Sequence, residues 1–173
     1  MADSTAADES ASHGRGRGNG AAMRQALLAL RALGLAPIVG GAVILGALVA
    51  PAIFKNAFLD RHDAGVIMAG IFGRFEKIAM GGAAIWALCE VIVIARFGKP
   101  APLDAIRITL GAIAMGLLAY QLFSLTPTIR AAQALAQSAG GPGSPAFEVL
   151  HKRSESIYKV LLFAAAGAMA LLR

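Results

Sequence analysis

The sequence contains few charged residues and only one cysteine. Of its 173 residues, 15% are charged and 57% are hydrophobic, and the mean hydropathy is +0.66. The apolar residues also lie in long runs, so this composition excludes an ordinary soluble domain. An internal disulfide is impossible with one cysteine, and the position of Cys89 inside an apolar run predicts a buried, unreactive thiol.

The common catalytic motifs are also missing. The sequence has no GxSxG, no HExxH, no P-loop and no dinucleotide fingerprint, which lowers the case for an enzyme without deciding it. The net charge is +6, but the basic residues are spread along the chain and are not interleaved with aromatic residues. We therefore expect no nucleic-acid partner, and we interpret the basic residues as anchors at a lipid bilayer.

The apolar runs predict an all-α integral membrane protein. We expect a four-transmembrane-helix bundle at 23–173, preceded by a disordered N-terminal tail at 1–22 that is rich in small and polar residues. The spans are predicted at about 32–54, 78–95, 108–125 and 157–172. A short apolar segment, Gly65 to Gly73, is predicted to lead as a helix directly into the second span. Pro51, near the end of the first span, predicts a kink or a helix exit.

An even number of spans would place both termini on the same side of the membrane. The basic residues divide equally between the two sides, eight of sixteen, so their raw count gives no orientation. The short second loop is dense in arginine and lysine, which favours cytoplasmic termini. The Ala-, Gly- and Arg-rich composition suggests a multi-pass protein of a bacterial inner membrane.

The sequence also contains a candidate internal repeat. Pro51-Ala52-Ile53 ends the first predicted span and Phe72 follows, whereas Pro127-Thr128-Ile129 ends the third and Phe147 follows at nearly the same distance. This spacing indicates two parallel helical hairpins related by duplication, with chance similarity as the alternative.

The stretch from Phe147 to Val160 carries polar groups on the mainly apolar side of a helix. His151, Ser154 and Tyr158 repeat with helical spacing, and each needs a partner near a membrane. Arg74 lies on the same predicted side of the bilayer, and we expect it to form a salt bridge with Glu148 or Glu155. Together Arg74, His151, Ser154 and Tyr158 form a candidate binding site at one membrane face.

Glu90 is the fifth candidate binding residue because it lies inside an apolar run. A carboxylate in hydrocarbon is costly, so we expect it to face the bundle and to be protonated or paired. It could act as a proton or cation relay. The alternatives are a protonated acid that bonds to a neighbouring helix and a carboxylate that reaches the interface near Arg96.

No cofactor is predicted from these residues. Haem or a metal ion is the alternative, with His62 and His151 as candidate ligands because both lie in loops on one side. Four methionines and Cys89 could bind copper, but their spacing is typical of apolar packing. The remaining partners to consider are a second copy of the chain and another membrane protein.

Four short elements resemble those of the transmembrane protein 205-like family, which carries domain of unknown function 4149. They are PAIF at Pro51, IFGRF at Ile71, TPTIR at Thr126 and FEVLHKRS at Phe147, of which the last, FxxLHxxS, is the most specific. The resemblance covers about Leu33 to Leu172 and implies a four-helix membrane domain of unestablished activity. Glu90 has no place in the family pattern.

These observations favour a non-enzymatic membrane protein that binds or passes a small solute or lipid at a polar site on one membrane face. A haem- or metal-dependent redox protein and a structural subunit of a membrane complex are the two alternatives.

Overall fold

The described part of the chain is built from helices. The structure is a computed structural model in which the backbone is described for residues 5–56, 58–59, 61–138 and 145–172, and side chains for 20–56, 58–59, 63–135 and 147–172. Within these ranges the backbone is helical or forms short turns and contains no strand.

The helices join into four long helical segments, which we call rods and number in chain order. The first rod consists of α1 (Thr5–Ile44), a π-turn (Leu45–Val49) and α2 (Ala50–Phe54), and the second is α3 (Arg61–Phe97). The third consists of α4 (Pro102–Tyr120), a second π-turn (Gln121–Leu125) and α5 (Thr126–Ser138). The fourth is α6 (Pro145–Ala170). Helix α1 packs mainly on α3, and α4 mainly on α6, so each pair forms a helical hairpin.

Both π-turns end two residues before a proline. The backbone N–H of Ala50 bonds to the carbonyl of Leu45, and that of Thr126 bonds to the carbonyl of Gln121, five residues back in each case. The next residues, Pro51 and Pro127, have no N–H, and a proline ring clashes with the carbonyl four residues earlier in a regular helix. The wider turn relieves this clash. The helix continues through Pro51 and ends at Phe54, where the first predicted span also ends.

Three rods are long and apolar enough to cross a membrane. These segments are Gly20–Phe54, Asp63–Phe97 and Pro102–Leu135, and an 18-residue window within each has a mean hydropathy of 2.3, 2.1 and 1.7, respectively. They identify an all-α integral membrane protein and agree with the first three predicted spans. The predicted lead-in at Gly65 to Gly73 is part of α3, which runs without interruption into the second span.

Part of the segment predicted as a disordered tail has helical backbone. Helical backbone begins at Thr5, inside the segment 1–22 for which the composition predicts disorder. Side chains 1–19 and residues 1–4 lie outside the described part, so no packing partner is defined there. Disorder of this tail stays a prediction.

Small residues allow α1 and α3 to approach each other closely. A Cβ on Gly34 would lie 2.7 Å from the Gly82 carbonyl oxygen and 2.9 Å from the Trp86 Cβ, and a Cβ on Gly82 would overlap the Gly34 backbone. A Cβ on Gly111 in α4 would in turn overlap the Trp86 indole. Three helices therefore meet around one buried tryptophan, because glycine leaves room at each contact.

The two hairpins share several features at equivalent positions. Each π-turn begins six residues before its proline, and Arg31 and Arg107 each lie twenty residues before Pro51 and Pro127. Both arginines are buried. These matched positions support the interpretation of two parallel hairpins related by duplication.

Candidate functional site

One face of α3 carries two buried carboxyl groups. Glu76, Ala79, Ala83, Trp86 and Glu90 alternate at spacings of three and four residues, and each is at most 3% exposed. Fourteen residues of helix separate the two carboxyls, which corresponds to about 21 Å along α3 and about 40° around it. This separation is shorter than the roughly 30 Å hydrocarbon thickness, so a single bilayer is thick enough to contain both.

Glu90 lies at the centre of an ionic cluster formed with Arg31, Asp104 and Arg107. Its Oε2 accepts hydrogen bonds from the Arg31 guanidinium at 2.8 Å and from Arg107 Nη2 at 3.0 Å, while its Oε1 accepts from Arg107 Nε at 3.0 Å. Arg107 also donates to Asp104 at 2.6 Å. Two positive and two negative groups from α1, α3 and α4 therefore balance one another in the bundle.

A cavity of about 220 Å³ lies beside the ionic cluster, at the end where α3 finishes and α4 begins. Its lining includes Glu90, Asp104 and Arg107, and the turn with Lys99 and Pro100 covers it. Both oxygens of Glu90 accept hydrogen bonds from arginine, so this carboxylate is held in place by Arg31 and Arg107.

The second carboxyl, Glu76, has different neighbours. Its Oε1 accepts hydrogen bonds from the Thr126 hydroxyl at 2.8 Å and from the Tyr158 hydroxyl at 2.7 Å. Its Oε2 is buried and has no hydrogen-bond partner among the described residues. The described side chains also form no ion pair with Glu76, in contrast to Glu90. Burial without a cation makes this carboxyl costly in hydrocarbon.

Two further polar side chains extend this Glu76 cluster, which we define as Glu76, Gln121, Thr126, Ser154 and Tyr158. The amide nitrogen of Gln121, in the second π-turn, donates to the Ser154 hydroxyl on α6. The amide oxygen of Gln121 is buried and without a partner in the described part of the chain. Two unsatisfied acceptor oxygens therefore belong to the same group of helices.

The structure brings together only part of the predicted Arg74, His151, Ser154 and Tyr158 site. Ser154 accepts a hydrogen bond from Gln121, and Tyr158 donates one to Glu76. His151 is instead exposed, stacks on Phe147 and lies 3.4 Å from Glu155. Arg74 is exposed as well.

The predicted salt bridge between Arg74 and Glu148 or Glu155 is wrong. Glu148 pairs with Lys152 at 2.8 Å and Glu155 lies beside His151, each one helical turn away on α6 itself. The hydrogen bond from Lys152 lowers the pKa of Glu148, and the same bond raises the pKa of Lys152. Side chains one helical turn apart are close as soon as the helix forms, before any tertiary contact. This explains why Lys152 and His151, and not Arg74, lie beside these two carboxylates.

Glu90 faces the bundle as predicted, and it is paired. Its partners are Arg31 and Arg107, and not Arg96 at the interface. The fifth predicted binding residue therefore belongs to the ionic cluster, about 21 Å along α3 from the Glu76 cluster that contains Ser154 and Tyr158.

The alternative metal or haem site lies partly outside the described residues. The side chain of His62 is not described, and His151 is exposed on α6. A haem, copper or other metal cofactor at these histidines stays a prediction.

Glu76 is the main residue that the sequence reasoning missed. It occurs in the charged string Arg74-Phe75-Glu76-Lys77, which resembles an exposed junction before a span. Its spacing of fourteen residues from Glu90 is a signal for a shared helix face that could have identified it. Thr126 follows the second π-turn, which shifts the face on which subsequent residues lie and so hides its position from a regular helical pattern.

Comparison with known proteins identifies a family but no activity. Residues 33–138 match the model of the family described as Domain of unknown function (DUF4149), which is more than half of the chain. No curated protein and no solved structure matches the chain. The FxxLHxxS element at Phe147 lies beyond the matched residues, so the narrower likeness to transmembrane protein 205 stays a prediction. From its sequence, the chain belongs to the DUF4149 family.

Proposed function

We propose that this protein is a four-span membrane protein that binds a small cation at the Glu76 cluster and passes it between the cluster and one membrane face. The observation that carries the proposal is a buried carboxyl that has two hydroxyl donors on one oxygen, none on the other, and no cationic side chain beside it among the described residues.

The fourth span in this proposal is α6. Its residues Leu161, Ala164, Ala165 and Ala168 are buried in the core. Phe163, on its other side, is 76% exposed, as expected for a side chain that faces lipid. Lys159 is exposed near the start of the apolar run, where its amine can reach the headgroup region.

The unsatisfied atoms of the Glu76 cluster favour a cation over an anion as the ligand. The two unsatisfied groups are the Glu76 carboxyl oxygen and the Gln121 amide oxygen, and both accept hydrogen bonds or coordinate metal ions. The hydroxyl groups of Thr126 and Tyr158 bond to Glu76, and that of Ser154 bonds to Gln121. Oxygen-only ligands suit a proton or a hard metal ion, whereas an anion would be repelled by the carboxylate.

Comparison with the ionic cluster supports the Glu76 cluster as the cation site. Glu90 on the same face of α3 is neutralised by guanidinium groups from α1 and α4. Glu76 has no such partner among the described side chains, although it is buried as deeply. A site that must accept and release a cation requires a carboxyl without a permanent counter-charge.

Thermal unfolding of the purified protein in detergent tests the proposal. A ligand that binds only the folded state raises the melting temperature with its concentration. We expect a rise with added sodium, lithium or potassium ions, or a dependence on pH if the cation is a proton. Glu76→Gln should abolish the response. Glu148→Gln removes an exposed carboxylate of α6 and should leave it unchanged.

An equal response of all three proteins would contradict the proposal, because the cation would then act without the Glu76 carboxyl. The same conclusion would follow if neither cations nor pH altered the melting temperature of the unmodified protein. A Glu76→Gln protein that melts normally but no longer responds would support it.

Other features stay predictions from the sequence. These are the bacterial inner membrane, cytoplasmic termini, a second copy of the chain or another membrane protein as a partner, and the redox and structural alternatives.

A further inference from the structure

A second cavity, apart from both buried clusters, lies between α3 and α5. Its volume is about 340 Å³, and it is lined by Val66, Ala69, Gly70, Arg130, Gln133 and Ala134. Most of this lining is apolar, and the polar groups are one guanidinium and one carboxamide. The volume is within the range of small-ligand sites.

Arg130 lies directly against the backbone of α3. Its guanidinium donates a hydrogen bond to the Ala69 carbonyl at 3.2 Å, and a Cβ on Gly73 would overlap the guanidinium. A Cβ on Gly65 would touch the Gln133 amide nitrogen at 3.8 Å. Small residues four positions apart on α3 therefore make the groove in which the polar edge of α5 lies.

The charge of Arg130 is not neutralised by a described carboxylate. Its one described hydrogen bond goes to a neutral carbonyl, and the remaining donors of its planar group face the cavity or the surroundings. An arginine with free donors at a partly apolar cavity is well suited to a phosphate oxygen.

We propose that this cavity binds the phosphate of a membrane phospholipid, with Arg130 as the principal contact and Gln133 as a second donor. The cavity lies between two helices that belong to candidate membrane spans. Val66 at its edge is 48% exposed, so the apolar lining continues onto the outer surface of the helices. An occupant can therefore enter sideways from the bilayer with its headgroup at Arg130 and its acyl chains along α3.

Native mass spectrometry of the protein released from detergent micelles containing phosphatidylglycerol tests this site. We expect the unmodified protein to retain a phospholipid, and Arg130→Gln to reduce retention about tenfold, as the loss of one charge-assisted hydrogen bond implies. Lys77→Gln is the matched control, because it removes an exposed positive charge from α3 without changing the cavity lining.

A second pair of variants tests the role of the cavity volume separately from the charge of Arg130. A Cβ on Gly70 meets no atom within 4 Å, so Gly70→Leu should fold normally and fill the cavity. We expect it to lose the lipid as Arg130→Gln does. Gly81→Leu also enters open space on α3 but away from the cavity, and should retain the lipid.

Three results would overturn the inference. One is equal retention by all five proteins. Another is displacement of the lipid by inorganic phosphate alone, which would make the occupant a free anion. The last is a change from dimer to monomer in Arg130→Gln or Gly70→Leu without any retained lipid, which would assign the cavity to a second copy of the chain.

Discussion

Glu90 joins three helices through its two carboxylate oxygens, which makes it the residue whose loss should matter most for stability. In Glu90→Ala the Arg31 and Arg107 guanidinium groups would remain buried without this partner. Breaking a buried ion pair from one side costs about 3–5 kcal/mol. We expect a corresponding fall in the free energy of unfolding, measured by thermal or chemical denaturation in detergent.

Two further variants serve as comparisons for the loss of stability expected in Glu90→Ala. Glu155→Ala removes an exposed carboxylate and should change stability by less than about 0.5 kcal/mol. The double variant Glu90→Met with Arg31→Met should recover part of the loss, since Arg107 keeps Asp104 as its partner. If Glu90→Ala is as stable as the unmodified protein, the ionic cluster does not hold the helices together.

At the residue scale, the sequence predicted the burial of Glu90 but not its partners. It identified Glu90 as a bundle-facing carboxyl because a charge in an apolar run is costly, but it could not name the partners. Arg31 and Arg107 are distant in sequence and come together only when α1 and α4 pack on α3. Ser154 and Tyr158 were recognised for the same reason as Glu90, whereas Glu76 was hidden among neighbouring charges.

At the scale of helices, the contact between Gly34 and Gly82 determines how closely α1 and α3 pack. Gly82→Leu would force a side chain into the Gly34 backbone, and overpacking of a closely packed site costs about 1–3 kcal/mol or more. Gly81→Leu changes the neighbouring residue, where a Cβ meets nothing within 4 Å. We expect only Gly82→Leu to lower the melting temperature in detergent.

Equal melting temperatures for the two leucine variants would contradict this packing. The helices would then be able to separate at Gly82 without loss of stability, and the close approach would have no energetic role.

The helices themselves were largely predictable, and their irregular turns were not. Uncharged runs longer than about 20 residues are a strong signal for a membrane span. Pro51 and Pro127 signalled a disturbance, yet a proline can produce a kink, an exit or a π-turn, and surrounding packing decides among them. The continuation of both helices beyond their prolines could therefore not be predicted from the proline alone.

At the scale of the whole molecule, the proposed fourth span would place both termini on one side of the membrane. Single cysteines can test this topology in a Cys89→Ala background, because Cys89 is the only native cysteine. We expect Lys99→Cys and Leu172→Cys to react with a membrane-impermeant maleimide from the same side, and Asn56→Cys to react from the other.

The side from which Leu172→Cys is labelled shows whether α6 crosses the membrane. If it reacts from the same side as Asn56→Cys, then α6 returns to its starting face and the protein has three spans. Labelling of Lys99→Cys and Asn56→Cys from one side would contradict a span by α3 itself.

The different pairing of Glu76 and Glu90 has an electrical consequence. The ionic cluster contains two guanidinium and two carboxylate groups, so a voltage across the membrane exerts no net force on it. A cation that moves between the solvent and Glu76 would cross part of that voltage, and one elementary charge crossing all of it gains or loses about 2.3 kcal/mol per 100 mV. Occupancy of the Glu76 cluster should therefore follow the membrane potential, while the ionic cluster keeps the helices in place at every voltage.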